Sequence, residues 1–128
     1  MKKIIFTPNA PEPIGPYSQA VLTNDILYIS GQIAIDPVTQ TYEPNGIEEE
    51  TTQVMKNLDS ILKAADMSFS DVIKTSIFLA DMNDFAKVNA IYSLHFSKDF
   101  PARETVEVSV LPKNSKVEIS MVAIASRK

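Results

Sequence analysis

The fold is decided by residues 101–119, which read Pro101-Ala-Arg-Glu-Thr-Val-Glu-Val-Ser-Val-Leu-Pro-Lys-Asn-Ser-Lys-Val-Glu-Ile119. Polar and apolar residues alternate through the first half of this stretch, as they do in a half-buried β-strand. The predicted polar face carries Arg103, Thr105, Glu107 and Ser109, and the apolar face carries Val106, Val108 and Val110. Residues 112–115 have turn chemistry, and residues 117–125 form a second β-rich run whose only ionisable side chain is Glu118. The block therefore predicts a β-hairpin, with Arg103 near the start of its first strand and Glu118 near the start of its second strand.

A hairpin of this kind would separate the two charged residues. Antiparallel pairing across a tight turn places Glu118 opposite Ser109 and Arg103 near Ile124. At about 3.3 Å per residue, Arg103 and Glu118 would lie roughly 20 Å apart, too far to share a small ligand within one chain. Either a bulge or a long loop changes the register, or the two residues meet across a subunit boundary. We favour the boundary.

The rest of the chain alternates between strand and helix patterns. Residues 4–6 predict a short strand before a proline-rich loop, and residues 21–22 and 26–30 flank a hairpin turn. Gly31 interrupts the second of these strands, which indicates a bulge or a close backbone approach. Apolar residues at helical spacing predict a helix over residues 47–65, and residues 72–79 predict a strand. Asn83 is the predicted cap of a second helix, whose apolar residues are Phe85, Val88, Tyr92 and Phe96.

This order of elements predicts a single α+β domain spanning residues 1–128. Two helices would cover one face of a mainly antiparallel sheet, and the other face would carry Arg103, Thr105 and neighbouring groups. We expect self-association to cover that second face, since an exposed strand surface favours pairing with another copy.

Composition excludes several classes of protein. There is no cysteine, so disulfides, thiolate nucleophiles and Cys-ligated zinc are ruled out, and the one histidine, His95, disfavours a serine triad or a His-rich metal site. Sixteen acidic residues against 12 basic ones give a net charge of −4, without the basic cluster that a nucleic-acid partner requires. No apolar run is long enough for a signal peptide or a membrane helix, so we expect a cytoplasmic protein that makes no membrane contact.

Four motifs together resemble the RidA family of reactive enamine/imine deaminases, also called the YjgF family. They are Gly15-Pro-Tyr-Ser-Gln19, Ser30-Gly-Gln32, Asn83-Asp-Phe85 with Val88-Asn89, and the block at 101–119. The resemblance covers essentially the whole chain. It implies a chorismate-mutase-like α+β fold, usually a homotrimer, with ligand sites in clefts between subunits. It also implies hydrolysis of 2-aminoacrylate and related 2-imino acids, released by pyridoxal-phosphate enzymes, to 2-oxo acids and ammonia, with no bound cofactor or metal.

Carried over by motif, Arg103 resembles the family's carboxylate-binding arginine and Glu118 the acidic residue associated with the reactive water. The resemblance also places Tyr17, Ser30, Gly31 and Asn89 at positions that line the cleft. An arginine suits this role because its planar guanidinium can hold a carboxylate through two parallel hydrogen bonds, which lysine cannot do. Glu118 would then orient or deprotonate water, and Tyr17 would donate or relay a proton.

Other readings of the same residues stay open. Tyr17 is equally well explained as an aromatic lid over the core, Ser30 as a partner of backbone groups, and Asn89 as a buried polar contact. The glycine at position 31 is explained by the backbone conformation there, without a role in ligand binding.

This sequence also departs from the usual family pattern. Glu104 stands where a small or apolar residue is usual, Thr105 where many members have cysteine, and Ser120 where a second glutamate is frequent. The Thr105 hydroxyl remains able to hydrogen-bond a water in the cleft.

These observations leave three hypotheses for function. The leading one is a deaminase that hydrolyses reactive enamine/imine intermediates, namely 2-aminoacrylate and related 2-imino acids such as 2-iminobutanoate and 2-iminopropanoate. The second is a non-catalytic module that binds a 2-oxo acid or a regulatory partner in the same cleft. The third, suggested by RNA-related activities of relatives, is a ribonuclease or translation inhibitor, against which the acidic composition and single histidine argue.

Overall fold

A computed structural model describes residues 1–126 and contains, over that range, eight strands and two α-helices. The last two residues of the predicted domain lie outside the described residues. The strands are β1 (Lys3–Ile5), β2 (Ala20–Thr23), β3 (Ile26–Gln32), β4 (Ile35–Asp36), β5 (Thr41–Tyr42), β6 (Val72–Leu79), β7 (Ala102–Glu107) and β8 (Val117–Ile124). The helices are α1 (Ile47–Ala64) and α2 (Phe85–Ser93). No helix among the described residues is long and apolar enough to cross a lipid bilayer.

Six strands form one sheet in the order β1-β2-β3-β8-β6-β7, and β4 and β5 form a separate small hairpin. Neighbours in the sheet are antiparallel except for β6 and β7, which are parallel. The β2–β3 hairpin turns through Asn24 and Asp25, both with positive φ, as a two-residue hairpin turn requires. The predicted α+β class, with two helices on a mainly antiparallel sheet, is confirmed.

The hairpin predicted at residues 101–119 is wrong, because β7 and β8 do not pair with each other. Both pair with β6, which lies between them. The helix α2 connects β6 to β7, and a helical crossover of this kind joins parallel strands rather than a hairpin pair. The next strand, β8, lies between β3 and β6 and pairs with both. Its residues Val117, Ile119, Met121 and Ala123 are all buried against the helices, so the central position suits it best.

The helices cover one face of the sheet. Residues of α1 at helical spacing, from Ile47 to Leu62, are buried there, and three glutamates occupy the first turn, where the helix dipole favours negative charge. The predicted Asn83 cap is wrong, because Asp81 accepts the Asn83 N–H through its side chain at 2.9 Å in a short 3₁₀ turn before α2. The helix α2 ends at Ser93, so Phe96 lies beyond it and packs on the Tyr92 ring at 4.7 Å between centroids.

The structure also corrects the prediction of which side of the sheet is open. Arg103 is in register with Thr75, and Thr105 with Ile77, and both of these β6 residues are buried on the helix side. The prediction that Arg103 and Thr105 lie on the uncovered face is therefore wrong. Alternation divides a strand into two faces but does not say which face a distant helix covers. The uncovered surface, which we call the open face, instead carries Tyr28, Ser76, Glu104, Val106, Glu118, Ser120 and Val122.

Candidate active site

Arg103 lies in a cradle made by one stripe of α2. Its Nη1 donates to Asn89 Oδ1 at 2.8 Å, and its guanidinium carbon lies 5.0 Å from the Tyr92 ring centroid and 5.8 Å from that of Phe85. Phe85, Asn89 and Tyr92 follow one another at helical spacing, so they project from α2 along one side. The Tyr92 hydroxyl donates to Thr75 Oγ1 at 3.0 Å, which fixes the ring beneath the cation. The guanidinium is therefore held in one orientation by an amide and two rings.

A cavity of about 290 Å³ opens beside this guanidinium. Its walls are formed by Asn89, Tyr92, Ser93, Phe100, Pro101 and Arg103. One amide oxygen occupies a single donor of the arginine, and a guanidinium has five. The remaining donors can therefore meet an anion in a cavity that is partly walled by Tyr92, Phe100 and Pro101, where a charged hydrogen bond is stronger than in water.

Glu118 lies on the other face of the sheet, over Gly31. The pairing of β3 with β8 shifts register between Ile29 and Gln32, so Ser30 and Gly31 form a bulge. A β-carbon added at Gly31 would lie 2.8 Å from Glu118 Cδ and 3.1 Å from its Cγ. The absence of a side chain at Gly31 leaves this space to the Glu118 side chain in its observed position. The predicted bulge at Gly31 is confirmed, whereas the group that approaches Gly31 closely is the Glu118 side chain and not another stretch of backbone.

A second cavity, also of about 290 Å³, lies around this carboxyl group. Its walls are Tyr17, Ser30, Gly31, Pro112 and Glu118. Burial raises the pKa of Glu118 above its usual value, because desolvation disfavours the charged form. A carboxyl group with a raised pKa in a cleft is a good candidate for exchanging a proton with a ligand or a water.

Hydrogen-bond direction gives Tyr17 and Ser30 distinct roles in this cavity. The Tyr17 hydroxyl oxygen accepts the Ile14 N–H at 3.2 Å, which leaves its own proton available for donation. The Ser30 hydroxyl donates to the Ser18 carbonyl at 2.6 Å, which leaves its oxygen as an acceptor. Ser30 therefore satisfies a backbone group and also retains acceptor capacity toward the cavity.

The two cavities lie on opposite faces of the sheet. Arg103 on β7 is in register with Thr75 of β6, and Glu118 on β8 is in register with Phe78 of β6. The strand β6 lies between β7 and β8, so the two residues are two strands apart in the sheet. Strand spacing and rise place their Cα atoms about 14 Å apart, and their side chains project to opposite sides. The predicted distance of roughly 20 Å and the hairpin register behind it are therefore wrong, but the conclusion that Arg103 and Glu118 cannot share a small ligand within one chain agrees with this geometry.

The predicted site residues thus divide into two groups. The structure brings Arg103 and Asn89 together on one face, and Tyr17, Ser30, Gly31 and Glu118 together on the other. Thr105 lines neither cavity, and its buried hydroxyl has no hydrogen-bond partner within residues 1–126.

Sequence reasoning missed five further lining residues, which are Tyr92, Ser93, Phe100, Pro101 and Pro112. The sequence predicts Tyr92 only as part of the apolar stripe of the second helix. The only signal that could have marked the prolines was their position at the two ends of the 101–112 stretch.

Comparison with known proteins decides the family. Residues 7–125 match the family described as Endoribonuclease L-PSP. A protein of the conserved Rid family from Yersinia pestis has a solved structure with a TM-score of 0.95 and 48% identity, covering 98% of this chain and 100% of that one. The chain belongs to the RidA (YjgF) family.

Among RidA relatives with assigned activities, the human protein named 2-iminobutanoate/2-iminopropanoate deaminase is 49% identical over 124 residues, covering 97% of this chain and 90% of the human protein. The structure of Escherichia coli TdcF with bound serine has a TM-score of 0.91 and 38% identity, covering 97% of this chain and 99% of that one. Relatives in the family thus include a named imine deaminase and a structure holding an amino acid.

Proposed function

We propose that this RidA-family protein is an enamine/imine deaminase that hydrolyses 2-aminoacrylate and related 2-imino acids to 2-oxo acids and ammonia. The observation that carries the proposal is the pairing of a held arginine in one cavity with a carboxyl group of raised pKa in another. A 2-imino acid has a carboxylate next to an electrophilic C=N carbon, so it needs both an anion clamp and a proton-exchanging group. The naming of the human relative supports the same reaction.

2-Aminoacrylate first becomes its imine tautomer, as its CH2 carbon takes a proton from solvent and its nitrogen loses one to solvent. Arg103 binds the carboxylate of the imine and thereby orients the adjacent C=N bond. Glu118, as the carboxylate, takes a proton from water as the water oxygen bonds to the imine carbon. The electron pair of the C=N bond moves to nitrogen, which takes a proton from the Tyr17 hydroxyl or from solvent. The proton on Glu118 then passes to this amine. The new hydroxyl group gives its proton back to the Tyr17 oxygen or to solvent, whichever donated earlier, and the C–N bond breaks to release ammonia and the 2-oxo acid. Acid–base assistance of this kind contributes roughly 10²–10⁴-fold.

We further propose that each active site forms between two subunits of a homotrimer. Arg103 and Glu118 lie on opposite faces of the sheet. Within a single chain, a small ligand could therefore contact the guanidinium of Arg103 or the carboxyl group of Glu118 but not both. The open face also exposes large apolar side chains, including Tyr28 at 49% and Val106 at 40%, which favours its burial against another copy. A subunit that supplies the Arg103 half of a cleft to its neighbour's Glu118 half would satisfy both requirements.

The first experiment measures pyruvate formation from 2-aminoacrylate that a serine dehydratase generates. We expect wild-type protein to accelerate pyruvate release and Arg103→Ala to lose the acceleration while keeping its mass and circular dichroism. The matched control is Lys87→Ala, which removes an exposed cation from α2 and should leave the rate unchanged. A wild-type rate equal to that of the uncatalysed control, at every protein concentration, would reject the proposal.

The second experiment tests whether the sites lie between subunits. Arg103→Ala and Glu118→Gln subunits are denatured together at equal amounts, refolded, and assayed. If each site takes Arg103 from one subunit and Glu118 from its neighbour, random mixing restores both groups in roughly a quarter of the sites. If each site lies within one chain, no mixed oligomer regains activity, because every chain lacks one group. The separately refolded variants provide the baseline.

A second candidate function is a non-catalytic module that binds a 2-oxo acid or a related small ligand. The specific observation in its favour is the serine bound to the E. coli relative, which has the α-carboxylate that Arg103 would hold. Calorimetry with pyruvate and 2-oxobutanoate discriminates the two functions. Tight reversible binding without any turnover of 2-aminoacrylate would favour the module.

The proposed chemistry also defines the class of enzyme that must supply the substrate. Enamines and imines of 2-oxo acids arise where a pyridoxal-phosphate enzyme eliminates a group from an amino acid. We therefore propose a functional link to such enzymes, in the cytoplasm, with no cofactor bound to this protein itself.

A further inference from the structure

Glu50 is a charged residue buried in the core of the protein. It lies in the first part of α1, and only 1% of its surface is exposed. Placing a carboxylate in such surroundings costs several kcal/mol unless hydrogen bonds replace its lost water. The two glutamates before it, Glu48 and Glu49, are exposed and need no such compensation. The partners of Glu50 therefore indicate what this buried carboxylate does.

Three donors converge on one oxygen of Glu50. Its Oε2 accepts the Lys116 N–H at 2.7 Å, the Val117 N–H at 3.4 Å and the Tyr42 hydroxyl at 2.9 Å. Burial raises the pKa of Tyr42, and the hydrogen bond to Glu50 raises it further, so Tyr42 remains a donor. Two of the three donors are backbone amides at the point where β8 begins. The carboxylate thus fixes the start of this strand to α1.

The segment that Glu50 holds joins two walls of the second cavity. Pro112 lies at one end of it and Glu118 at the other, and both line the cavity. Between them, Lys113 and Asn114 have φ of 57° and 54°, a left-handed conformation that is unfavourable for lysine and is tolerated better by asparagine. Two consecutive residues of this kind need neighbouring contacts to keep them in place. The bonds to Glu50 supply such contacts two residues before Glu118.

We propose that Glu50 is a positioning residue, which keeps Glu118 and Pro112 in place relative to each other by accepting hydrogen bonds from the backbone amides at the start of β8. This inference rests on the proposed role of Glu118. Glu50 itself is buried behind the strand, so it acts through the backbone and touches no substrate. A shift of about 1 Å in a reacting group can lower a rate about 10²-fold, so the loss of this anchor matters for catalysis.

The test compares Glu50→Met, which keeps the volume but removes the acceptor, with Glu50→Gln, which keeps an acceptor oxygen. Thr51→Val is the matched control, because Thr51 is also fully buried on α1 but its hydroxyl donates only to the Ile47 carbonyl of its own helix. We expect Glu50→Met to lower kcat for 2-aminoacrylate hydrolysis about 10²-fold with little change in KM, since Arg103 is untouched. Glu50→Gln should restore most of kcat, and Thr51→Val should keep it.

A second readout does not depend on the reaction. Carbon-13 NMR follows the titration of the Glu118 carboxyl group, which should move toward its usual pKa in Glu50→Met and stay near wild type in Glu50→Gln. An absence of imine hydrolysis in wild-type protein would reject the proposed function, whereas the NMR result would still decide the role of Glu50. A folded Glu50→Met with wild-type titration of Glu118 overturns the inference.

If Glu50→Met does not fold, hydrogen exchange of the wild-type protein decides. The Lys116 and Val117 amides should then be as protected as those in the middle of β8. Rapid exchange of both amides by local opening would show that Glu50 does not hold the strand start.

Discussion

Replacing Gly31 with alanine should damage activity while sparing the fold. The added β-carbon would lie 2.8 Å from Glu118 Cδ, where carbon atoms normally approach no closer than about 3.5 Å. The three atoms nearest the added carbon all belong to the Glu118 side chain, which can move toward the open cavity. Gly31 is also not among the residues with positive φ, so its backbone conformation suits alanine. The clash is therefore relieved by displacing the carboxyl group.

The geometry gives the expected magnitudes. Relief of the contact moves the Glu118 carboxyl group by about 1 Å, which corresponds to a loss of about 10²-fold in kcat if that group exchanges the proton. The free energy of unfolding should change by less than about 1 kcal/mol, since alanine restricts the unfolded chain more than glycine does.

Gly46→Ala is the matched control, with the opposite expectation. Gly46 precedes α1 at φ 96° and ψ 162°, a conformation essentially restricted to glycine, and nothing lies within 4 Å of its added β-carbon. This variant should lose about 1–3 kcal/mol of stability and keep its activity. Urea denaturation and the coupled pyruvate assay, applied to both variants, separate the two effects.

The reasoning fails if Gly31→Ala keeps the wild-type kcat while a structure shows that Glu118 has moved. The position of the carboxyl group would then have no bearing on the reaction. A loss of several kcal/mol of stability would be equally damaging, because it would mean that the backbone rather than the side chain had to yield.

Two further predictions concern the charged groups of the two cavities. Arg103→Lys should raise KM roughly 10–100-fold in the pyruvate assay, because lysine keeps the charge but loses the two parallel hydrogen bonds; an unchanged KM would show that the substrate carboxylate binds elsewhere. The pKa of Glu118 is higher in the folded protein than in the unfolded chain, so the folded state keeps the proton to a higher pH. The protonated carboxyl group therefore contributes its whole stabilisation of the folded state below the unfolded-state pKa. This contribution is lost as pH rises through the folded-state pKa. Urea titrations across that window should show wild-type protein losing stability relative to Glu118→Gln, and equal slopes would refute the shift.

Local patterns in the sequence predicted the elements well. The strand at residues 72–79, the first helix and the β2–β3 hairpin all follow from short-range periodicity and turn chemistry, and the structure contains each of them. The failure at residues 101–119 has a different origin. Two β-rich runs joined by turn residues are compatible with a hairpin and with two strands separated by a third. The choice depends on whether β6 fits between them, which is a property of distant residues.

The site shows the same division between local and long-range information. Motifs identified Arg103, Asn89, Tyr17, Ser30, Gly31 and Glu118, and the structure places each of them at a cavity. Alternation could not say that α2 covers the side of β7 that carries Arg103. It therefore assigned Arg103 to the open face, opposite to its observed side.

The positions of the two cavities in the sheet give self-association a chemical consequence. Arg103 is on β7, an edge strand, where a neighbouring subunit can approach its cavity from outside the sheet. Glu118 is on a central strand, where a neighbour can reach it only across the open face. A subunit whose β7 edge packs against its neighbour's open face would bury the apolar surface and bring the two cavities together. Assembly and catalysis would then depend on the same contact, so dilution that separates the subunits should abolish the activity of chains that remain folded.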